Sequence, residues 1–388
     1  MLTLEEAQAK LLALAPELPK QTLPIESAAG RYLTGDLIAR RTQPPSDLSA
    51  MDGFSVSGPG PWTIVGESRA GHPFHGSLAG GQAIRISTGA AVPENATGIL
   101  LKEDSRLSGT SLADSDQASA RHIRPHGFDF VQGDTLLAAG SRLGPAQIAL
   151  ALSAGHDRLE VRRPPTVAII DSGDELASDP TQVESHQIPA SNGAMIAAML
   201  SELGCSTMRL GPVPDDLTAL ADALKKAESA DLVISSGGAS VGDHDLVQEA
   251  LRRWGAELSF WKAAIKPGKP LMVASREGQV ILGLPGNPVS SFVTCFLFAQ
   301  PLVRAAMGDS DPLPRSQEYV CEEALPAVGK RREFLRGICD GKSVRLAVSQ
   351  DSSGLRALAS ANCLIDRLAG SPELEPGSTV SVYRLRNG

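Results

Sequence analysis

From Thr166 to about residue 307, two hydrophobic rhythms alternate along the chain. Thr166-Val167-Ala168-Ile169-Ile170, Leu232-Val233-Ile234, Leu271 to Ala274 and Val280 to Leu284 are short apolar runs rich in β-branched residues. Such runs predict strands buried on both faces. Between them, apolar residues recur every three or four positions. Ile196, Met199, Leu200 and Leu203 form one such set, Leu217, Leu220, Ala221 and Leu224 a second, and Val247, Ala250, Leu251 and Trp254 a third. Each set falls on one helix face. Ser191-Asn192 and Asp215-Asp216 are candidate caps, and Gly204 and Gly255 stand where helices stop. Asn287 is a candidate cap with Pro288 as the first helical residue of a helix running on through Phe298. The alternation predicts a doubly wound α/β domain.

The rhythm differs on either side. Residues 4 to 15 read as an amphipathic helix ended by Pro16, and 145 to 154 as another. Between them lie strands at Trp62 to Val65, Ala83 to Ile86 and Ile99 to Leu101, with a polar loop or hairpin over 104–120. Arg162-Arg163-Pro164-Pro165 and Pro312-Leu313-Pro314 read as linkers. Beyond the second, Val344 to Val348 and Val380-Ser381-Val382 alternate with period two. That predicts an antiparallel β unit of about 75 residues, a size suited to a small barrel or sandwich. The expected division is 1–163, 164–312 and 313–388.

Composition narrows the class. Of the 388 residues, 42% are apolar and 21% charged, as in soluble globular proteins. The net charge of −8 argues against nonspecific nucleic-acid binding, and 4% aromatic residues against a base-stacking platform. The five cysteines, Cys205, Cys295, Cys321, Cys339 and Cys363, form no CxxC pair. They suggest neither a disulfide framework nor a zinc site, and fit a reducing compartment. The N-terminus lacks the form of a signal peptide, and no apolar run reaches membrane-spanning length, so a cytoplasmic protein is expected.

The candidate chemistry gathers at strand ends. Leu232-Val233-Ile234 runs into Ser235-Ser236-Gly237-Gly238 and then a polar loop with Ser240, Gly242, Asp243 and Asp245. Asp171-Ser172-Gly173-Asp174-Glu175 and Pro285-Gly286-Asn287 follow two other strands. Strand ends of an open α/β sheet share one edge, so these turns can converge on a ligand. Lys262, Lys266 and Lys269 supply positive charge, the last two flanking Pro267-Gly268. An anionic, phosphorylated small molecule fits, and Asp215, Asp243, Asp245 and Glu175 offer oxygens for Mg²⁺ beside phosphate. Each acid taken alone also reads as a cap or solvated surface, and Asp52-Gly53 taken alone reads rather as a turn between strands. In the C-terminal unit the candidates are Arg331, Arg332, Arg336 and Ser352-Ser353-Gly354.

Several motifs occur together in a fixed order: PPSDLSAMDGFSV (44–56), RISTGAAVP (85–93), DSGDEL (171–176), SSGGASVGDHD (235–245), KPGKP (266–270), GLPGNPVSS (283–291), FLRG (334–337) and ASANCLI (359–365). On these the chain resembles, over nearly its whole length, the MoeA family of molybdopterin molybdenumtransferases, to which the E domain of gephyrin is related. The resemblance implies an elongated mixed α+β N-terminal region of two interleaved subdomains, a MogA-like molybdopterin-binding α/β domain and a C-terminal antiparallel β-barrel. It implies a homodimer with the site at the subunit junction. It implies insertion of molybdate into adenylylated molybdopterin, with release of AMP and dependence on Mg²⁺. Partners would then be the pterin adenylyltransferase and the molybdoenzymes or their chaperones.

Carried over by position, Gly237, Gly238 and Ser240 would lie on the pterin-binding turn, and Asp215 and Asp245 would hold the metal. Lys266, Lys269, Ser290, Arg336 and Ser352 would receive the oxyanion, with Pro285 and Pro288 on the adjoining turn. Asp52, Thr88, Asp129, Glu175 and Lys262 match further functional positions, Asp52 coming across the dimer interface. Cationic and hydroxyl donors suit a dianion such as molybdate. The chain departs from the family at Ala96-Thr97-Gly98, Gly127-Phe128-Asp129 and Ala190, where acids are usual. Two other classes compete with the transferase: a molybdopterin-binding carrier or scaffold without turnover, and a nucleotide-pyrophosphate hydrolase of the CinA type. The terminal motifs argue against the hydrolase.

Overall fold

The computed structural model describes residues 1–114, 118–237 and 246–385. Gly238, Ser240, Asp243 and Asp245 lie outside the described residues. The chain divides into two compact units, one of 22–29 and 35–160, the other of 1–21, 30–34 and 161–388.

The smaller unit is built on a six-stranded sheet with the order Gly98–Leu101, Gly53–Val56, Gln82–Ile86, Trp62–Ser68, Ser111–Asp114, Ser105–Ser108. Phe54, Val56, Trp62, Ala83, Leu100 and Leu112 make its core. The last two strands are the hairpin expected within 104–120.

The larger unit holds a second six-stranded sheet. Its order is Ser206–Val213, Thr166–Ser172, Leu232–Ser236, Gln279–Leu284, Pro270–Arg276, Glu257–Lys262. The first four strands are parallel, Pro270–Arg276 runs against them, and Glu257–Lys262 pairs antiparallel with it. Alternation sends Val167, Ile169, Leu232 and Ile234 to one face, and Ala168, Ile170 and Val233 to the other. The helices Leu217–Lys226 and Leu246–Arg253 cover the second face with Leu220, Leu224, Val247 and Leu251. The helix Asn192–Ser201 and the long helix Pro288–Ala306 cover the first.

Sequence rules set these helices only in part. The first helix ends at Leu12 rather than at Pro16, because Ala13, Leu14 and Ala15 turn back on short-range bonds. Asp216 caps its helix, accepting the N–H groups of Thr218 and Ala219 at 2.9 Å. Ser191 makes no such bond. Instead the carboxylate of Asp171, on the neighbouring strand, accepts the N–H of Gly193 at 2.9 Å. Asn287 does not cap either, since its amide reaches Ser352 Oγ at 3.3 Å.

The long helix continues past Phe298 to Ala306, through a π-helical turn at Cys295–Ala299. Pro301 has no N–H to offer Leu297, four residues back, and Gln8 Nε2 donates to that carbonyl at 2.9 Å. At 19 residues with a mean hydropathy of 1.4 this helix is long and apolar enough to cross a membrane, contrary to the expectation from apolar runs. It is 89% buried in the protein, as a core helix is.

Five C-terminal strands, Arg332–Asp340, Ser343–Leu346, Gln317–Cys321, Thr379–Arg384 and Cys363–Arg367, close into a barrel, as the first pairs again with the last. One departure from the expected antiparallel order is the parallel pair Gln317–Cys321 with Ser343–Leu346. Phe334 and Tyr383 from the barrel pack with Phe296 of the long helix, so barrel and α/β sheet share a core. Ile265–Lys266 adds to the barrel as a parallel strand beside Arg332-Glu333. All five cysteines are buried and free.

Candidate functional site

A chain that moves from the Thr166–Ser172 strand outward to Ser206–Val213, then back past it to Leu232–Ser236, creates a switch point between the first and third strands. Ligands bind at the carboxyl ends of strands at such points. Gly237 lies there with φ of +97°, and a Cβ on it would sit 3.0 Å from the carbonyl oxygen of Ser172. Only glycine brings the two strand ends this close.

A cleft of about 1330 Å³ opens at this edge, walled on one side by strand-end turns and on the other by the barrel. The turns contribute Glu175, Asp215, Gly237, Pro285, Pro288 and Ser290. The barrel contributes Arg336 and Ser352, and the Lys266–Lys269 turn lies between. These ten sequence candidates meet in one cleft, and Arg331 and Ser353 line it as well. Lys262 is not in its lining. It ends the Glu257–Lys262 strand with an exposed side chain, and its carbonyl accepts the N–H of Leu2.

Asp52, Thr88 and Asp129 belong to the smaller unit. Thr88 donates to Asp52 Oδ1 from both its N–H, at 2.6 Å, and its hydroxyl, at 2.9 Å. These bonds, the backbone one foremost, hold the Asp52 carboxyl below its usual range. Asp129 is exposed.

The cationic groups differ in their settings. Lys266 Nζ lies 3.0 Å from Glu333 Oε1, its partner across the parallel strand pair. Arg336 is 2% exposed. Its Nη2 donates to the carbonyls of Ser349 and Asp351, while Nε is buried with no partner among the described residues. Burial lowers its pKa. Asp351 is held low by the hydroxyl and N–H of Ser353.

On the α/β side, Asp215 is raised, first by burial and then by the charges of Asp174 and Glu175. A carboxylate crowded by like charges favours a cation. Among the described residues no three His, Cys, Asp or Glu side chains cluster closely enough to hold a metal by themselves. The donor set fits Mg²⁺ only as that ion prefers, with few protein carboxylates and oxygens from a phosphate.

The three departures from the family pattern have local uses. The Thr97 hydroxyl accepts the N–H of Gly58 and donates to the Val56 carbonyl. Phe128, 66% exposed, lies under the Arg124 guanidinium at 5.9 Å. The Ala190 carbonyl accepts from Arg209, which also lies 3.6 Å from the buried Asp171.

Glu333 and Asn192 were given no site role by the sequence, and Asp171 only a place in a turn expected to converge on a ligand. An acid ending an apolar strand was the available signal for Asp171. The other two needed the strand pairing and the helix start.

Family models match in three blocks: the MoeA N-terminal region (domain I and II) over 2–155, a probable molybdopterin binding domain over 168–305, and the MoeA C-terminal region (domain IV) over 318–385. The chain is 34% identical to a molybdopterin molybdenumtransferase of Haemophilus influenzae, covering 98% of each. It is 31% identical to the Bacillus subtilis molybdopterin molybdenumtransferase, over 93% of this chain and 89% of that one. A molybdopterin biosynthesis MoeA protein from Pyrococcus horikoshii superposes with a TM-score of 0.80 at 26% identity, over 99% of both chains.

Proposed function

The chain belongs to the MoeA family, an enzyme family of molybdenum cofactor biosynthesis, and from that premise we propose that it inserts molybdate into adenylylated molybdopterin and releases AMP in a Mg²⁺-dependent step. The observation that carries this reading is the buried Arg336 Nε, without a partner among the described residues, on a side chain that lines a cleft also holding Lys266 and Lys269. A buried cationic donor without a partner costs about 1–3 kcal/mol or more, and an oxyanion satisfies it.

In this mechanism Lys266, Lys269 and Arg336 hold molybdate by charge, and Ser290 and Ser352 orient it with hydroxyl donors. Glu333 keeps Lys266 directed over the cleft. The Gly237 turn approaches the phosphates through its backbone, and Pro285 and Pro288 shape the wall beside them. Asp215, with Asp245, would hold Mg²⁺, which when bound neutralises the pyrophosphate and its leaving group. Glu175 stands beside Asp215 to take part in the same charge set. Lys262, outside the cleft lining, remains a candidate only through the resemblance. The working form is a cytoplasmic homodimer in which Asp52, Thr88 and Asp129 of one copy serve the cleft of the other. The functional division is 1–163, 164–312 and 313–388.

The substitution Lys266→Ala tests the oxyanion role. Molybdenum transfer in a single turnover should fall at least a hundredfold with pterin binding retained. If Lys266→Ala weakened pterin binding with no transfer in either protein, the carrier reading would replace this one.

A further inference from the structure

Three neighbouring strands carry a row of charge at the end of the barrel that borders the cleft. Lys266 stands opposite Glu333 in the parallel pair, and Glu333 stands opposite Arg367 in the antiparallel pair with Cys363–Arg367. Side chains directly opposite one another share a face of the sheet, with Cβ atoms about 4.5–5.5 Å apart. The row therefore reads cation, anion, cation. Its two ends differ. The Lys266 side chain is 56% exposed and lines the cleft, whereas Arg367 is 2% exposed and is not in the lining.

The bond from Glu333 goes to the exposed end. Its Oε1 lies 3.0 Å from Lys266 Nζ. At the buried end, Arg367 Nη2 donates to the Pro372 carbonyl, and Nη1 is buried without a partner among the described residues. Burial lowers the Arg367 pKa, and the charge of Glu333 is among those that oppose this. A buried guanidinium donor left unpaired is costly, yet here it lies within a side chain's reach of a carboxylate engaged elsewhere.

An oxyanion such as molybdate brings two negative charges to Lys266, against one on Glu333, and so competes for the ammonium. We propose that Glu333 is a two-position residue, which holds Lys266 in the empty cleft and turns to Arg367 Nη1 when an oxyanion takes Lys266. This rests on the reading of the cleft as the molybdate site. Arg367 is then a positioning residue that sets oxyanion affinity from inside the barrel. The ion pair broken at Lys266 is replaced by one at Arg367, so binding leaves no carboxylate stranded.

The test is a double-mutant cycle on the affinity of the full-length chain for molybdate alone, measured by calorimetry. Glu333→Gln releases Lys266 and should tighten binding severalfold. Arg367→Met removes the place to which Glu333 turns and should weaken binding about tenfold or more. In the Glu333→Gln background the same Arg367→Met should change affinity less than twofold, because no carboxylate has to be received. Additive effects would mean that the two residues act as separate charges, and would overturn the inference while molybdate binding by the wild type keeps the cleft's assignment. Unchanged or weaker binding by Glu333→Gln alone also overturns it. Arg367→Gln, which can still bond to Pro372, takes the place of Arg367→Met if that variant does not fold. If the wild type binds no molybdate, the reading of the cleft falls with the inference.

Discussion

Asp171 shows how one side chain joins the fold to the site. It ends a strand, caps a helix that its own residues do not cap, and lies beside Arg209. Burial pushes its carboxyl above the usual range more than Arg209 and the Gly193 N–H lower it. A carboxyl whose folded pKa exceeds its unfolded one contributes stability while protonated. That contribution is fully present below the unfolded pKa, about 3.9, and is lost as pH rises through the folded one. Melting temperatures of the wild type and Asp171→Asn should therefore diverge between acid and neutral pH, in favour of the Asn variant. A wild-type advantage that grows with pH would contradict this. The residue types of the cleft were legible in the sequence because glycines, prolines and lysines sit in short motifs at strand ends. The capping contact of Asp171 and the bond of Asn192 to Gly286 were not, since they join neighbours distant in sequence.

Elements are held by contacts that local propensity does not encode. A Cβ at Gly193 would stand 2.1 Å from Asp171 Oδ2, so helix start and carboxylate fit only with glycine there. Gly193→Ala should cost roughly 1–3 kcal/mol in urea denaturation, as overpacking does. The added change Asp171→Ser should recover part of that loss, which makes the pair non-additive. If the double variant were as unstable as the sum of the singles, the two residues would not be coupled. In the long helix, Gln8→Ala leaves the Leu297 carbonyl buried without its donor. The expected cost is about 1–3 kcal/mol by the same measurement. The helix itself was legible from Asn287-Pro288 and the apolar run. Its π-helical turn and the partner found for it in the first helix were not, because they arise from packing around Pro301.

At the scale of the molecule, the α/β sheet and the barrel share one core and present one cleft. Alternating hydrophobic periods showed the α/β class and four of the six strands, missing the two edge strands Ser206–Val213 and Glu257–Lys262, and period two left barrel and sandwich open. Barrel closure and its parallel pair depend on long-range pairing that no local pattern carries. The cleft unites ten candidates that lie as far apart in sequence as Glu175 and Ser352. Such a grouping suits a substrate with an acidic phosphate linkage and a separate oxyanion. In the proposed reaction these two act together. The most direct measurement is AMP release from adenylylated molybdopterin with Mg²⁺, with and without molybdate. The account predicts release that requires molybdate, with molybdenum appearing on the pterin in equal amount. Tight pterin binding with no AMP release under either condition would contradict it.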